Sequence, residues 1–99
     1  MKNSIWGEAI VVAAEGQVSC DLAGEAAILD LKSGEYYGLN AVGARIWNLI
    51  QEPKAVSAVL SVIVAEYNVA PDRCERDLVA LIEELAAKGL VEVKNGTVA

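Results

Sequence analysis

QVSCDLAGEAAILDLKSGEYYGLN, residues 17–40, decides the fold class, because its apolar residues recur with a period of two while those after it recur with a helical period. In Gln17 to Leu22 the side chains of Val18, Cys20 and Leu22 alternate with Gln17, Ser19 and Asp21, the pattern of a half-buried strand. Ala23-Gly24 turns the chain into Glu25 to Leu31, where Ala27, Leu29 and Leu31 share one face and Ala26, Ile28 and Asp30 the other. Lys32-Ser33-Gly34 predicts a tight turn with glycine in the left-handed region, and the chain returns through Glu35 to Leu39. Upstream, Ala9 to Ala13 is a short apolar run closed by Glu15-Gly16. Together these runs predict an N-terminal antiparallel β-meander.

Beyond Asn40 the pattern is helical. Asn40 is a good N-cap, and Val42, Ile46, Leu49 and Ile50 follow at i, i+4, i+7 and i+8, so a helix runs to about Glu52, where Pro53 stops it. A second helix is expected from about Ala55 to Tyr67, without a strong cap at its start and with Val56, Leu60, Ile63, Val64 and Tyr67 inward. In the third, Pro71 followed by Asp72-Arg73-Cys74-Glu75 offers a capping box, and Cys74, Leu78, Leu81, Ile82 and Leu85 form one apolar stripe. Lys88-Gly89 supplies a cation and a terminating glycine. Leu90 to Lys94 predicts a last short strand or wing, turned by Asn95-Gly96. The expectation is one α+β domain spanning residues 1–99, winged-helix-like, with helices packed on one face of a sheet.

Composition limits the function. The chain has 99 residues, 55% of them hydrophobic, enough for one core of modest size and too few for a deep active-site cavity. Its net charge of -6 is shared equally between the halves and opposes phosphate backbones. There is no histidine, which removes the commonest general base and metal ligand. Cys20 and Cys74 lie outside any C-x-x-C pattern and read as small apolar core residues, with a single disulfide between them left open. The run MKNSIWGEAIVVAAEG is too short and too charged for a signal peptide or membrane span, so residence in the cytoplasm is expected.

No catalytic constellation is present: there is no phosphate-binding glycine loop, no nucleophile with a histidine partner and no metal pattern on a helix. Glu83-Glu84 and Asp72/Glu75/Asp77 fall mainly on the solvated side of the third helix. Trp47 and Tyr67 sit among apolar neighbours at helical spacing and read as core. Of the adjacent Tyr36 and Tyr37, a strand can turn only one inward, which leaves the other as a contact for a docked peptide. A strand-addition site suits the acidic charge better than a helix that reads DNA.

The segment from Val18 to Val91 resembles the PqqD-like family, the recognition elements for precursors of ribosomally synthesised peptides, and is most similar to the small stand-alone members of lasso-peptide clusters. The resemblance rests on Leu29-Asp30-Leu31, Ser33-Gly34, Tyr36 and Leu39-Asn40 leading into Gly43-Ala44-Arg45-Ile46-Trp47, then Asp77, Leu78 and the Leu85 to Leu90 ending. It departs at Ala55, where members often carry a threonine cap, a difference of about 1 kcal/mol in one helix start. The resemblance implies a non-enzymatic adaptor without a cofactor, which binds the leader segment of a precursor peptide and presents it to a cysteine-protease-like leader peptidase or another modifying enzyme. The leader would add as a strand to Glu35, Tyr36, Tyr37, Gly38 and Leu39, facing the third helix at Arg73, Cys74, Arg76, Asp77, Leu78, Leu81 and Glu84. Family leaders often carry a tyrosine and a proline three residues apart near basic residues. Tyr36 or Tyr37, Leu39, Leu78 and Leu81 would meet the apolar groups, and Asp77 or Glu84 the basic ones; Leu78→Asp would abolish binding without unfolding. The resemblance leaves open a peptide chaperone for a radical-enzyme pathway such as pyrroloquinoline quinone synthesis, and the residues leave open a winged-helix regulator of DNA. No membrane or nucleic-acid partner is expected, and an unpaired sheet edge allows either a monomer or an edge-strand dimer.

Overall fold

The computed structural model describes residues 8–22 and 24–94, the side chain of Leu22 excepted. In chain order these form β1 (Ile10–Ala13), β2 (Gln17–Leu22), β3 (Glu25–Asp30), β4 (Tyr36–Leu39), α1 (Ala41–Leu49), β5 (Lys54–Ala55), α2 (Val56–Tyr67), α3 (Pro71–Ala87) and β6 (Val91–Lys94). The order is the expected α+β one: a strand meander, three helices and a returning strand. Trp6 and the turn read at Asn95-Gly96 lie outside the described residues.

The strands divide differently from the sequence expectation. Antiparallel β2-β3-β4 is one sheet, and β1 leaves it to pair with β5 and β6 in a second, of order β5-β1-β6. The pairings Val11↔Lys54 and Val11↔Val93 join segments remote in sequence, so no local turn signals them. The β3-β4 turn forms as predicted, with Gly34 at φ +77°. Asp30 stitches it, accepting from the Lys32 amide at 3.0 Å and the Ser33 hydroxyl at 3.1 Å.

The buried face of the β2-β3-β4 sheet carries Ala26, Ile28 and Leu39, and its other face is left open by the described residues. β2 therefore does not bury its apolar face: Val18 is 51% exposed and Cys20 is exposed, so only Cys74 is a core cysteine, and both thiols are free. The reason is register. Val18 pairs with Leu29 and Cys20 with Ala27, which puts all four opposite to the face that Ile28 turns toward the helices.

Asn40 caps α1 as expected, its side-chain oxygen accepting the Gly43 amide at 2.9 Å. The helix closes at Ile50, short of the predicted Glu52. Ala55 leaves α2 uncapped, as expected, but the buried residues are Val56, Val59 and Ile63, and Tyr67 lies at the surface rather than in the core. The capping box of α3 does not form. Pro71 is the first helical residue, which makes Ala70 the N-cap and places Asp72 within the first turn, where its charge still complements the helix dipole. Cys74, Leu78, Ile82 and Leu85 are buried along the predicted stripe, and Leu81 is half-buried. At its end Lys88 is the C-cap, Gly89 turns with φ +76°, and the Leu90 amide reaches the Leu85 carbonyl at 2.9 Å.

The core is one cluster, with Val11, Ile28, Ile50, Val56, Val59, Ile63, Leu78, Ile82 and Leu85 fully enclosed, each contributing about 1.5–3 kcal/mol by burial. At the surface, Arg45 of α1 and Glu66 of α2 form a two-bonded ion pair at 2.8 and 2.9 Å, and the hydrogen bond from Arg45 holds the Glu66 carboxyl below the usual range. Asn40→Ala removes the side-chain acceptor at the start of α1 and should lower stability by about 1 kcal/mol, read as a shift of the urea midpoint at unchanged slope.

Candidate functional site

Among the described residues β4 is an edge strand, and the phase of its hydrogen bonds determines what that edge offers. The Asp30 amide donates to the Glu35 carbonyl at 2.9 Å, and the register runs Leu29↔Tyr36, Ala27↔Gly38. In an antiparallel ladder the bonded pairs alternate, so Tyr37 and Leu39 spend their main-chain groups on β3, as Glu35 does its carbonyl. Tyr36 and Gly38 therefore turn their amides and carbonyls outward. The same alternation sorts the side chains. Tyr37 and Leu39 face the helices, whereas Tyr36, 77% exposed, lies on the open face, in keeping with the expectation that only one tyrosine packs inward.

Between this edge and α3 lies a cleft of about 480 Å³. One wall is Tyr37, Gly38 and Leu39, and the other is Arg73, Cys74, Asp77, Leu78 and Leu81 of α3. Its floor is made by Asn40, Val42, Gly43 and Ile46 of the α1 start and by Ile63, Tyr67 and Val69. The lining is largely apolar, and Arg73 and Asp77 are its charged members. At one end Tyr37 bridges to the last turn of α3. Lys88 Nζ stands 5.8 Å from the centre of its ring, and burial, followed by the hydrogen bond to Glu84, raises its hydroxyl above the ordinary tyrosine value.

Of the residues expected to form the site, Tyr37, Gly38, Leu39, Arg73, Cys74, Asp77, Leu78 and Leu81 line the cleft. Glu35 and Tyr36 border a smaller depression beside Lys88 on the same strand, Glu84 contacts Tyr37, and Arg76 is exposed on α3 without lining the cleft. Sequence reasoning missed the floor. Tyr67 and Val69 carried a signal, being apolar residues just before the Pro71 break, but their approach to β4 depends on how α2 packs. Leu78 is only 2% exposed and belongs to the core as well as the cleft, so Leu78→Asp would unfold the domain, contrary to the expectation from sequence.

Burial, with a smaller contribution from the Asp77 charge, raises the Cys74 thiol above its usual value. Raising the pKa reduces the thiolate at a given pH. With limiting iodoacetamide at pH 8, exposed Cys20 should be alkylated first and Cys74 should lag, with the gap narrowing as the pH rises; peptide mass mapping reads both.

Comparison with known proteins identifies a family and two similar structures. The family model for coenzyme PQQ synthesis protein D (PqqD) matches residues 25–91. Among solved structures the chain is similar to TbiB1 in complex with the TbiA(beta) leader peptide, with 38% identity, a TM-score of 0.76 and coverage of 89% of this chain and 99% of that one. It is also similar to lasso peptide synthetase B1 complexed with the leader peptide, with 26% identity, a TM-score of 0.74 and coverage of 83% and 96%. No curated protein sequence matches it.

Proposed function

From the premise that the chain belongs to the PqqD family, we propose that it is a leader-binding adaptor of lasso-peptide biosynthesis, without catalytic activity of its own. The observation that carries this reading is the free edge of β4 at Tyr36 and Gly38, set beside an apolar cleft of about 480 Å³. A leader segment adds there as a further strand. Main-chain bonds give affinity that tolerates sequence change, and the side chains it turns inward meet Leu39, Leu78, Leu81 and the floor of the cleft. Both structural neighbours named above are complexes with leader peptides, which supports the same use of this chain. A DNA-reading role has little support from α3, whose exposed residues include Asp72, Asp77, Glu83 and Glu84 against Arg73 and Arg76.

The adaptor presents the bound leader to a processing enzyme, a leader peptidase, through the open face of the β2-β3-β4 sheet. Val18, Leu29, Leu31 and Tyr36 leave an apolar surface there that no described residue covers. A strand added to β4 extends this face, because its residues paired with Tyr36 and Gly38 turn their side chains to the same side. An enzyme seated on the face therefore touches adaptor and leader together.

Gly38→Pro deletes one outward amide while leaving the bonds from β4 to β3 in place, and proline is tolerated on an edge strand. Fluorescence anisotropy with labelled TbiA(beta) leader peptide should show saturable binding by the wild type, weakened at least about tenfold by Gly38→Pro at unchanged circular dichroism. Equal affinities would refute strand addition. The double variant Val18→Glu, Leu29→Glu should bind the same peptide as wild type yet fail to support leader cleavage by the partner peptidase; cleavage at the wild-type rate would exclude the open face as the docking surface.

A further inference from the structure

A strand docked on β4 has two edges, and only one of them meets β4. Its residues alternate: one set bonds to Tyr36 and Gly38, and the intervening set turns each amide and carbonyl away from β4, toward α3. Much of the α3 wall is Cys74, Leu78 and Leu81, which offer no strong partner for a peptide group. A main-chain amide enclosed there without a partner would weaken binding by about tenfold or more.

Resting on the leader-binding reading, we propose that Arg73 and Asp77 hold the main chain of the docked peptide along the edge that faces α3. They are one helical turn apart, and they are the charged residues lining the cleft. They are poorly engaged with each other: the Arg73 Nε to Asp77 Oδ2 distance is 3.9 Å, and their side chains are 81% and 73% exposed. Of the other polar residues in the lining, Asn40 is committed to the Gly43 amide, Tyr37 lies on the β4 wall and Tyr67 on the floor, so neither tyrosine belongs to the α3 wall. A carboxylate only accepts and a guanidinium only donates. One strand residue presents an amide to be accepted and a carbonyl to be donated to on the same side, which is the complement of this pair. Asp77 receives the amide and Arg73 reaches the carbonyl. The contact is the same for any side chain at that position. It therefore differs from the pairing of Asp77 with a basic leader side chain that the sequence alone favours, and the peptide is clamped by main-chain bonds on both sides.

The probe is the labelled TbiA(beta) leader peptide, N-methylated at one residue at a time, with binding measured by anisotropy. In the wild type, methylation should weaken binding at the set of positions facing β4 and at one intervening position that faces α3. Asp77→Ala should cost about tenfold with the unmodified peptide and should cancel the methylation penalty at one position of the set facing α3, while the set facing β4 keeps its penalties. Asp77→Asn, which still accepts a hydrogen bond, should stay within about threefold of the wild type. Arg73→Ala should weaken binding alike for unmodified and methylated peptides. Two outcomes overturn the proposal while sparing the leader-binding reading: penalties at every position that are the same in Asp77→Ala and wild type, or Asp77→Asn as weak as Asp77→Ala, which assigns the residue a purely electrostatic role. Absence of saturable binding by the wild type, or of any methylation-sensitive position, overturns both.

Discussion

The pairing of β3 with β4 is the constraint on which the site depends. With Ile28 opposite Tyr37 and Leu29 opposite Tyr36, the inward face receives Tyr37 and Leu39, and the main-chain groups of Tyr36 and Gly38 are left over. A slip of one residue would exchange every one of these assignments: Tyr36 would turn toward α3, and the free edge groups would belong to Tyr37 and Leu39. The turn between the strands holds the register. Asp30 accepts from Lys32 and Ser33, the Ser33 hydroxyl accepts the Glu35 amide at 3.2 Å, and Gly34 takes the left-handed conformation that a side chain would resist.

The cleft stays open because its walls are fixed by other contacts. Leu39 packs closely on α1: a Cβ at Gly43 would lie 3.1 Å from a Leu39 methyl, so a larger residue there would require Leu39 to shift by a few tenths of an ångström. α3 is tied to α2 and β6 through the buried face that carries Ile82 and Leu85, and through the Gly89 turn that delivers Leu90 and Val91 to the core. Gln17 adds a side-chain clasp between the two sheets, donating to the carbonyls of Ala14 and Leu90.

The helices and the β3-β4 turn were legible in the sequence because each is specified by neighbours a few residues apart: Asn40 before α1, Gly34 in the turn, Lys88-Gly89 after α3. The second sheet was not, since β1 finds its partners at Lys54–Ala55 and Val91–Lys94 only when the helices bring them together. The buried face of β2-β3 was ambiguous for a different reason. Val18, Cys20, Ala27 and Leu29 on one side are as apolar as Ala26 and Ile28 on the other, so alternation identifies two faces without saying which is inward. Both α3 residues of the predicted capping box are present, but Pro71 occupies the first helical position and moves the cap to Ala70. The strand and helix walls of the cleft could be read from the family resemblance; its floor of Ile63, Tyr67 and Val69 depends on the packing of α2.

That second apolar face explains why the sequence is ambiguous. A domain that buried only its own core would leave the outer positions of β2 and β3 polar, and alternation would then have identified the inner face. Here Val18, Leu29 and Leu31 remain at the surface at a cost in solubility that the net charge of -6 offsets. Keeping them is reasonable if the face is covered by another protein during function. The two partners then meet the same sheet in different directions, the peptide along its edge through hydrogen bonds and the enzyme across its face through apolar contact. On the proposed function, an added strand would contribute side chains to that face, so that occupancy of the edge would change the surface offered to the enzyme and a single sheet would couple the two binding events without any change of fold.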